Sequence, residues 1–303
     1  MKILAIYYTQ SGQLAEIVKN FVSPIQDAEI EFIQFKPKKD FPFPWTDEVF
    51  YDTMPECVQE IPVELEEICF NHEKYDLIVF GYQPWFLSPS VPATSLLKSE
   101  AFKKIVKDTP VITIIGSRNM WLNSQESVKK MLLDAGGKLV GNVPLIDKTT
   151  NLVSAVTIVH WMLTGNKTRK YGFLPLPGVS DEDIKGVAKI GSILNNSLRE
   201  NKLDEFQKEV VKAGAVNINP NILFIEERAK KIFVMWASLI KKKEQKNGSR
   251  AFWVKFFKVY LLVALFGVSP ILLTVYNILI RPFTSESLKK KKEYFYSTEL
   301  KSK

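Results

Sequence analysis

Apolar positions in the first half of the chain fall into short continuous runs, with amphipathic stretches between them. The run over residues 2–8 is rich in β-forming side chains, and apolar residues follow at helical spacing over 14–22. Further runs of strand length cover residues 75–81, 109–116 and 138–146. Continuous apolar strands that alternate with helices are typical of a parallel sheet buried on both faces. The pattern therefore predicts an α/β fold with a doubly wound parallel sheet of five strands.

The remaining body of the chain reads as helices joined by irregular segments. Residues 36–62 carry five prolines and several aromatic side chains, which predicts either a packed lid or plain surface packing. A Gly/Pro linker over 166–178 precedes further amphipathic patterns. Helices are predicted near 93–98 and over 123–135, 181–198, 204–213 and 222–243. We divide the chain into a body over 1–165, a helical extension over 166–250 and a tail over 251–303.

The tail contains 22 consecutive residues without a charge, 259–280. Its length would cross a bilayer core of about 30 Å, and aromatic and basic residues flank it over 252–283. Because both flanks are basic and Gly267 and Pro270 interrupt the middle, we expect a helix–proline–helix wedge in one leaflet. A full crossing, a buried helical hairpin and a dimer interface are the alternatives. The wedge predicts a cytoplasmic protein on the inner face of the cytoplasmic membrane.

The charge of the chain is concentrated in the same tail. The chain has a net charge of +8, whereas residues 241–303 hold 14 Lys/Arg and 4 Asp/Glu. The body is therefore slightly acidic, which argues against nucleic-acid binding. Two cysteines and two histidines are too few, and too far apart, for a metal centre. The first strand begins at residue 2, so we expect no secretory signal and a reducing compartment.

The polar turn after the first strand has the composition of a phosphate-binding loop. Backbone N–H groups at a helix N-terminus attract anions, and here two hydroxyls and a glycine precede the helix. The turn lacks both the lysine of a nucleoside-triphosphatase loop and the glycines of a dinucleotide fingerprint. Hydroxyls and amides suit a single terminal phosphate, as in flavin mononucleotide (FMN). The candidate residues are Thr9, Gln10, Ser11, Gly12, Gln13 and Leu14.

Two further loops leave the same edge of the predicted sheet, because the carboxyl ends of parallel strands meet there. Both carry aromatic side chains, which suit a flat and mostly apolar flavin ring. The candidates are Pro84, Trp85 and Phe86 in the second loop, and Gly116, Ser117, Arg118, Asn119, Met120 and Trp121 in the third. A cation at Arg118 facing the flavin would favour an anionic reduced flavin and two-electron transfer, while a surface salt bridge is the other interpretation. His160 is either a base near the substrate or a packed core residue.

These loops resemble those of the flavodoxin-like family over about residues 1–146. Tyr7, Thr9 and Gly12 match the family's opening pattern, and 81–85 is similar to its second loop with the proline one position later. Leu14 departs, since the family usually has Thr or Asn there. The resemblance implies a flavodoxin-like fold that binds FMN.

Three segments, YYTQSGQ, GYQPWFLSPSVP and GSRNMW, together with the apolar basic tail, look like bacterial flavodoxin-like proteins known as dialkylresorcinol condensing enzymes. That resemblance implies an aromatase that oxidises a dialkyl-cyclohexane-1,3-dione lipid to a dialkylresorcinol, working with a ketosynthase partner. An NAD(P)H-dependent quinone or flavin reductase at the membrane stays open. So does a non-catalytic flavodoxin-like scaffold, which Leu14 favours, and so does a homodimer.

Overall fold

The computed structural model describes residues 1–246 and 248–300 of the chain. Its centre is a sheet of five parallel strands in the spatial order β2-β1-β3-β6-β7. Counted within the sheet alone this is the order 2-1-3-4-5, the flavodoxin-like arrangement. The predicted fold class is confirmed. The strands are β1 (Lys2–Tyr7), β2 (Glu29–Gln34), β3 (Leu77–Tyr82), β6 (Pro110–Ser117) and β7 (Lys138–Ile146), and β4 (Pro84–Trp85) with β5 (Ser88–Pro89) forms a separate hairpin.

The continuous apolar runs form the central strands, as predicted. All six residues of β3 are buried, because helices cover both faces of the sheet. The edge strand β2 was not identified from the sequence. Its sequence, EIEFIQ, mixes charged, polar and apolar residues, and only part of each side chain is covered. Such a pattern carries a weaker strand signal than a continuous apolar run.

Helices pack on both faces of the sheet and extend beyond it. Helices α1, α8, α9 and α10 form one group, in which α1 and α10 contact the strands, and α4, α5 and α6 form a second group. The sheet-covering helices are α1 (Gln13–Val22), α4 (Val91–Lys98), α5 (Glu100–Val106), α6 (Leu122–Asp134), α8 (Asp181–Gly186), α9 (Ala188–Arg199) and α10 (Phe206–Lys212). The helix predicted over 181–198 is thus divided in two at Val187.

The remaining helices build up one side of the molecule. Two short helices, α2 (Asp47–Asp52) and α3 (Met54–Val58), lie in the segment over 36–62, and α7 (Asn151–Thr164) follows the last strand. The long helix α11 (Pro220–Gln245) contacts α3 and α6. Side chains of α9 and α10 belong to the same apolar core as the sheet. The boundaries of the three predicted regions stay a prediction.

One continuous helix spans Arg250–Phe283, and we call it the tail helix. Among the described residues it is the one helix whose length and composition would suit a membrane crossing. The predicted break at Gly267–Pro270 is wrong, because the backbone stays helical through Val268 and Ser269. A π-type turn over Ala264–Val268 ends two residues before Pro270. Its wider hydrogen-bond spacing relieves the clash that a proline causes in a regular helix.

The tail helix lies antiparallel to α11 along much of its length. Near its start, Phe257 is fully buried against Phe233 and Trp236 of α11. Near its end, Tyr276 stacks on Phe224 with ring centroids 3.9 Å apart. The extra residue that a π turn accommodates keeps both contacts on the same side of the helix.

Both ends of the tail helix are tied to the body. The Arg250 guanidinium lies 2.6 Å from an Asp52 carboxylate oxygen and 2.7 Å from one of Glu56. Beyond the tail helix, the C-terminal helix (Ser285–Tyr296) returns to the body, where Lys291 pairs with Glu227 at 2.7 Å. The buried Lys129 ammonium then donates to the Ser297 carbonyl at 3.0 Å.

Candidate active site

A cavity of about 560 Å³ lies where the carboxyl ends of β1, β3 and β6 meet. Its volume is within the range of pockets that hold small molecules and cofactors. The structure brings the three predicted loops together in its wall. The predicted residues that line it are Gln10, Ser11, Gln13, Leu14, Pro84, Trp85, Phe86, Gly116, Ser117, Arg118 and Met120.

The first loop has the local structure that an anion site needs. Gly12 adopts φ +85° at the N-cap of α1, with no side-chain cap and with open space where a Cβ would stand. The first-turn amides of a helix have no intrahelical acceptor. The buried Thr9 hydroxyl finds no hydrogen-bond partner within the described part of the chain. An orphaned hydroxyl beside free amides fits a phosphate, and Ser11 lines the cavity beside them.

Two other side chains of the first loop are already engaged by protein. The Gln10 amide donates to the Pro42 carbonyl at 3.0 Å, and its oxygen accepts from the Trp45 indole at 2.9 Å. Gln13 exchanges two hydrogen bonds of 3.0 Å with the backbone of Val179. These glutamines therefore fasten the segments over 36–62 and 166–180 around the loop, and their side chains are not free for a ligand.

Leu14 is a packing residue. Its side chain is buried against Gly116, whose added Cβ would come 3.3 Å from a Leu14 methyl. At Gly81 an added Cβ would lie 2.7 Å from Val18 of the same helix. The two glycines let α1 approach the strand ends closely, and the apolar Leu14 fills the space that a hydroxyl residue would leave. The loop therefore offers one side-chain hydroxyl fewer than it would with a threonine at this position.

The second loop is a tight hairpin held in a strained backbone conformation. Phe86 and Leu87 both have positive φ, +47° and +60°, at the centre of the turn between β4 and β5. A bulky residue in this region costs about 1–2 kcal/mol, so the surroundings must enforce it. The Lys230 ammonium does so from α11, donating to the Ser88 hydroxyl at 2.6 Å and to the Leu87 carbonyl at 3.3 Å.

The proline- and aromatic-rich segment over 36–62 packs over the site. Its Trp45 meets Trp85 of the hairpin edge-on, with ring centroids 5.2 Å apart, and Phe41 does so at 5.1 Å. Phe43, Phe50 and Tyr51 of the same segment line the cavity. The segment is therefore a wall of the site rather than an unrelated patch of surface.

The third loop places a cation without a counter-ion in the wall. The Arg118 guanidinium donates to the Asn151 carbonyl at 2.8 Å, to its side-chain oxygen at 2.9 Å and to the Ser154 hydroxyl at 3.2 Å. Among the residues that the structure describes, no carboxylate forms an ion pair with it. Burial lowers the pKa of Arg118 to about 10, while the more distant Asp147 opposes the shift. The group stays protonated at neutral pH, and the surface salt bridge considered from the sequence is wrong.

Five predicted site residues are not in the cavity wall: Thr9 and Gly12, which neighbour lining residues in the first loop, and Asn119, Trp121 and His160. Trp121 is 2% exposed and belongs to the core, since it stands at the N-terminus of α6 with its ring turned inward. The Asn119 amide donates to Asn151 at 3.0 Å and does not line the cavity. His160 points away from the cavity toward the Thr168 hydroxyl, 3.4 Å distant, while its neighbours Val159 and Trp161 line the wall. His160 is therefore neither a residue of the cavity wall nor a fully buried core residue.

The far wall of the cavity was not found from the sequence. It is apolar and comes from α7, α11 and the tail helix, which lie far apart in the chain. Its residues include Val156, Val159, Ile225, Ala229, Phe233, Tyr260, Leu261, Leu262, Leu265 and Phe266. Helical periodicity shows that such residues face an apolar surface, but not which one. The cavity thus joins a polar, anion-suited end to an apolar wall.

A buried carboxyl at the base of α11 was also missed. One oxygen of Glu226 accepts from the Asn123 backbone N–H at 2.8 Å, and the other has no partner among the described residues. Burial raises the pKa of Glu226 to about 8. It seats α11 on the first turn of α6 and lies outside the cavity wall.

Solved structures similar to this chain are flavodoxin-like flavoproteins. A flavoprotein from Lactobacillus acidophilus NCFM in complex with FMN is 20% identical, with a TM-score of 0.39 over 47% of this chain and 92% of that one. Flavodoxin 1 from Bacillus cereus is 16% identical, with a TM-score of 0.33 over 63% and 95%. A flavone reductase is 15% identical, with a TM-score of 0.36 over 67% and 64%.

No model of a protein family matches the chain, and no curated protein matches it. At these identities and TM-scores the likeness concerns the fold alone, which the strand order already shows. The function proposed below therefore depends on the geometry of the cavity.

Proposed function

We propose that the protein is an FMN-dependent oxidoreductase that acts on a lipid-like substrate. The observation that carries the proposal is the cavity itself. It joins an uncapped loop, lined at Gln10 and Ser11, with an apolar wall and with the Arg118 guanidinium, which forms no ion pair within the described part of the chain. The Thr9 hydroxyl, which has no hydrogen-bond partner among the described residues, directly precedes the lining residues of that loop. The cavity lies at the carboxyl edge of the sheet, where ligands bind in open α/β sheets.

The residues present fit FMN. Thr9, Ser11 and the amides that begin α1 would hold the phosphate, and the hairpin with Trp85 would border the ring. The bound cofactor would supply a two-electron hydride acceptor. The Arg118 cation, held by neutral oxygen acceptors and therefore not neutralised, would stabilise negative charge that develops in the cavity during reduction.

For the substrate we propose a dialkyl-cyclohexane-1,3-dione that is oxidised to a dialkylresorcinol. The motif resemblance suggests this reaction, and the apolar wall offers a surface for alkyl chains. A 1,3-dione is acidic between its carbonyls, so its enolate can form without a strong protein base. Arg118 would favour that enolate electrostatically, and His160 has no part in the proposal because it faces away from the cavity. A ketosynthase would supply the dione.

We also propose that the protein lies on the inner face of the cytoplasmic membrane through residues 252–283. The side of the tail helix that faces away from α11 exposes a row of large apolar side chains, among them Phe252, Val259, Val263, Ile271 and Ile278. Lysines and arginines flank the row and suit anionic lipid headgroups. Because both ends of the helix are tied to the body, we favour a helix lying in the plane of the interface over a full crossing.

The cofactor assignment is tested by FMN titration of two matched variants. Ser11→Asp places a negative charge against the phosphate and should weaken FMN binding about a hundredfold, or roughly 3 kcal/mol. Ser11→Asn has nearly the same shape without the charge and should bind FMN within about fivefold of the wild type. Equal affinities for the two variants would refute the phosphate site, and a wild type that takes up no FMN would favour the non-catalytic scaffold.

The reaction is tested by anaerobic reduction of the reconstituted protein. Bleaching of the flavin absorbance by a dialkyl-cyclohexane-1,3-dione, with formation of the resorcinol, is the expected result. Bleaching by NAD(P)H alone at a comparable rate, with no response to the dione, would instead identify a quinone or flavin reductase.

A further inference from the structure

The cavity opens to the outside through an apolar rim. Three residues line the cavity and are also substantially exposed: Val159 of α7 at 37%, and Leu262 and Phe266 of the tail helix at 41% and 43%. A side chain that contributes to both surfaces marks the place where the cavity meets the exterior. The mouth therefore lies between α7 and the middle of the tail helix. All three of these rim residues are apolar.

The rim is continuous with the apolar face of the tail helix. The exposed side chain of Val259 lies before the rim residues of the tail helix, and that of Val263 lies next to Leu262. The exposed side chain of Ile271 lies after them. Exposed apolar residues thus extend along the helix on both sides of the mouth. A molecule resting in an apolar layer against this helix could reach the cavity without passing through water.

The helix is locally irregular where it forms the rim. The π-type turn over Ala264–Val268 includes Phe266, and an added Cβ at Gly267 would meet no atom within 4 Å. π turns inside α-helices occur frequently at functional sites. The rim therefore coincides with a backbone feature that is common at functional sites.

We propose that this mouth is a portal through which the alkyl chains of the substrate pass directly from the bilayer into the cavity. The proposal rests on the proposed function, because it assumes a lipid-like substrate and a tail helix that lies in the membrane interface. Long alkyl chains are poorly soluble in water, so a path that stays apolar from bilayer to cavity avoids their hydration. A second copy of the chain covering the same rim is the competing occupant.

The test uses the full-length protein on anionic vesicles that contain a fatty acid with a terminal photoactivatable diazirine. After irradiation, mass spectrometry maps the labelled residues. Entry through the portal should label the interior residues Trp85 and Met120 as well as the exterior residue Ile278. Labelling confined to the exterior, or crosslinks to a second copy of the chain at the rim, would overturn the proposal.

A matched pair of substitutions then locates the path. Leu262→Trp narrows the rim and should lower interior labelling about tenfold. Met235→Trp adds the same ring at an exposed position of α11 that lies outside both the cavity wall and the apolar row of the tail helix, and should leave interior labelling unchanged. If Leu262→Trp fails to fold, Phe266→Trp serves the same purpose. Interior labelling that is equal in the plugged and control variants would also overturn the portal.

This readout needs neither FMN nor turnover, so the two proposals can fail separately. Interior labelling in a protein that neither binds FMN nor oxidises the dione supports the portal and refutes the reaction. A protein that binds FMN and oxidises a short-chain dione, but shows no interior labelling, refutes the portal and keeps the reaction.

Discussion

Strand β3 and the tail helix are both apolar segments, yet they are buried to very different extents. Every residue of β3 is buried, because helices cover both faces of the sheet. The tail helix buries one stripe, with Val254, Phe257 and Tyr276 against α11, and leaves the opposite side exposed. Hydrophobicity alone therefore indicates that a segment avoids water, whereas the topology of the chain decides whether other parts of the same chain bury it. The exposed side of the tail helix is the part left for a lipid surface.

The largest expected effect comes from comparing two substitutions, one on the buried side of the tail helix and one on its exposed side. Phe257 is 0% exposed and Phe252 is 61% exposed, so Phe257→Ala and Phe252→Ala remove the same ring from opposite environments. Phe257→Ala should lower the free energy of unfolding by about 3–5 kcal/mol. Phe252→Ala should change it by less than about 0.5 kcal/mol and weaken vesicle binding about tenfold.

Urea unfolding and vesicle flotation of the two variants measure these effects. Similar losses of stability in both would show that the exposed side is also a packing surface of the folded monomer. Unchanged vesicle binding of Phe252→Ala would remove the contrast between the covered and the exposed side.

The second prediction concerns the body of the protein, where α11 packs, and uses the pH dependence of the free energy of unfolding. The pKa of Glu226 is raised to about 8 in the folded chain, whereas an unfolded glutamate titrates near its ordinary value of about 4.3. Between these two values the folded state binds more protons than the unfolded state. The free energy of unfolding should therefore fall as pH rises from about 4.5 to about 8, by roughly 2–4 kcal/mol.

Glu226→Gln carries no titrating proton and should abolish that part of the slope, with the larger gain in stability at pH 8. Urea unfolding at several pH values, followed by tryptophan fluorescence, measures it. A slope that is the same in the variant would mean that α11 leaves the body before the body unfolds.

The smallest expected effect concerns Pro270. Because the π turn before it already accommodates the proline, Pro270→Ala should change the free energy of unfolding by less than about 1 kcal/mol and leave vesicle binding unchanged. Urea unfolding and vesicle flotation are again the measurements. A marked change in vesicle binding would revive the helix–proline–helix wedge, since only a bent segment depends on the proline for its shape.

Local sequence determined the parts of this protein whose structure depends on near neighbours. Apolar runs predicted the central strands, and the order of strands and helices predicted the doubly wound sheet. The loop from Thr9 to Leu14 was predicted as an anion site because strand, turn and helix follow one another within twenty residues. The edge strand β2 was missed because a prediction from near neighbours needs a clear local pattern, and the pattern of β2 is weak.

Tertiary structure alone decided the direction of side chains and the partners of the amphipathic helices. Trp121 and Met120 are adjacent in one loop, yet the first turn of α6 directs one into the core and leaves the other in the cavity wall. His160 and Val159 part in the same way, because adjacent helical residues point about 100° apart. The seat of the tail helix on α11 depends on contacts such as Phe224 with Tyr276, which are far apart in the chain. Periodicity shows that a helix has an apolar face, but the surface it meets depends on how distant segments pack.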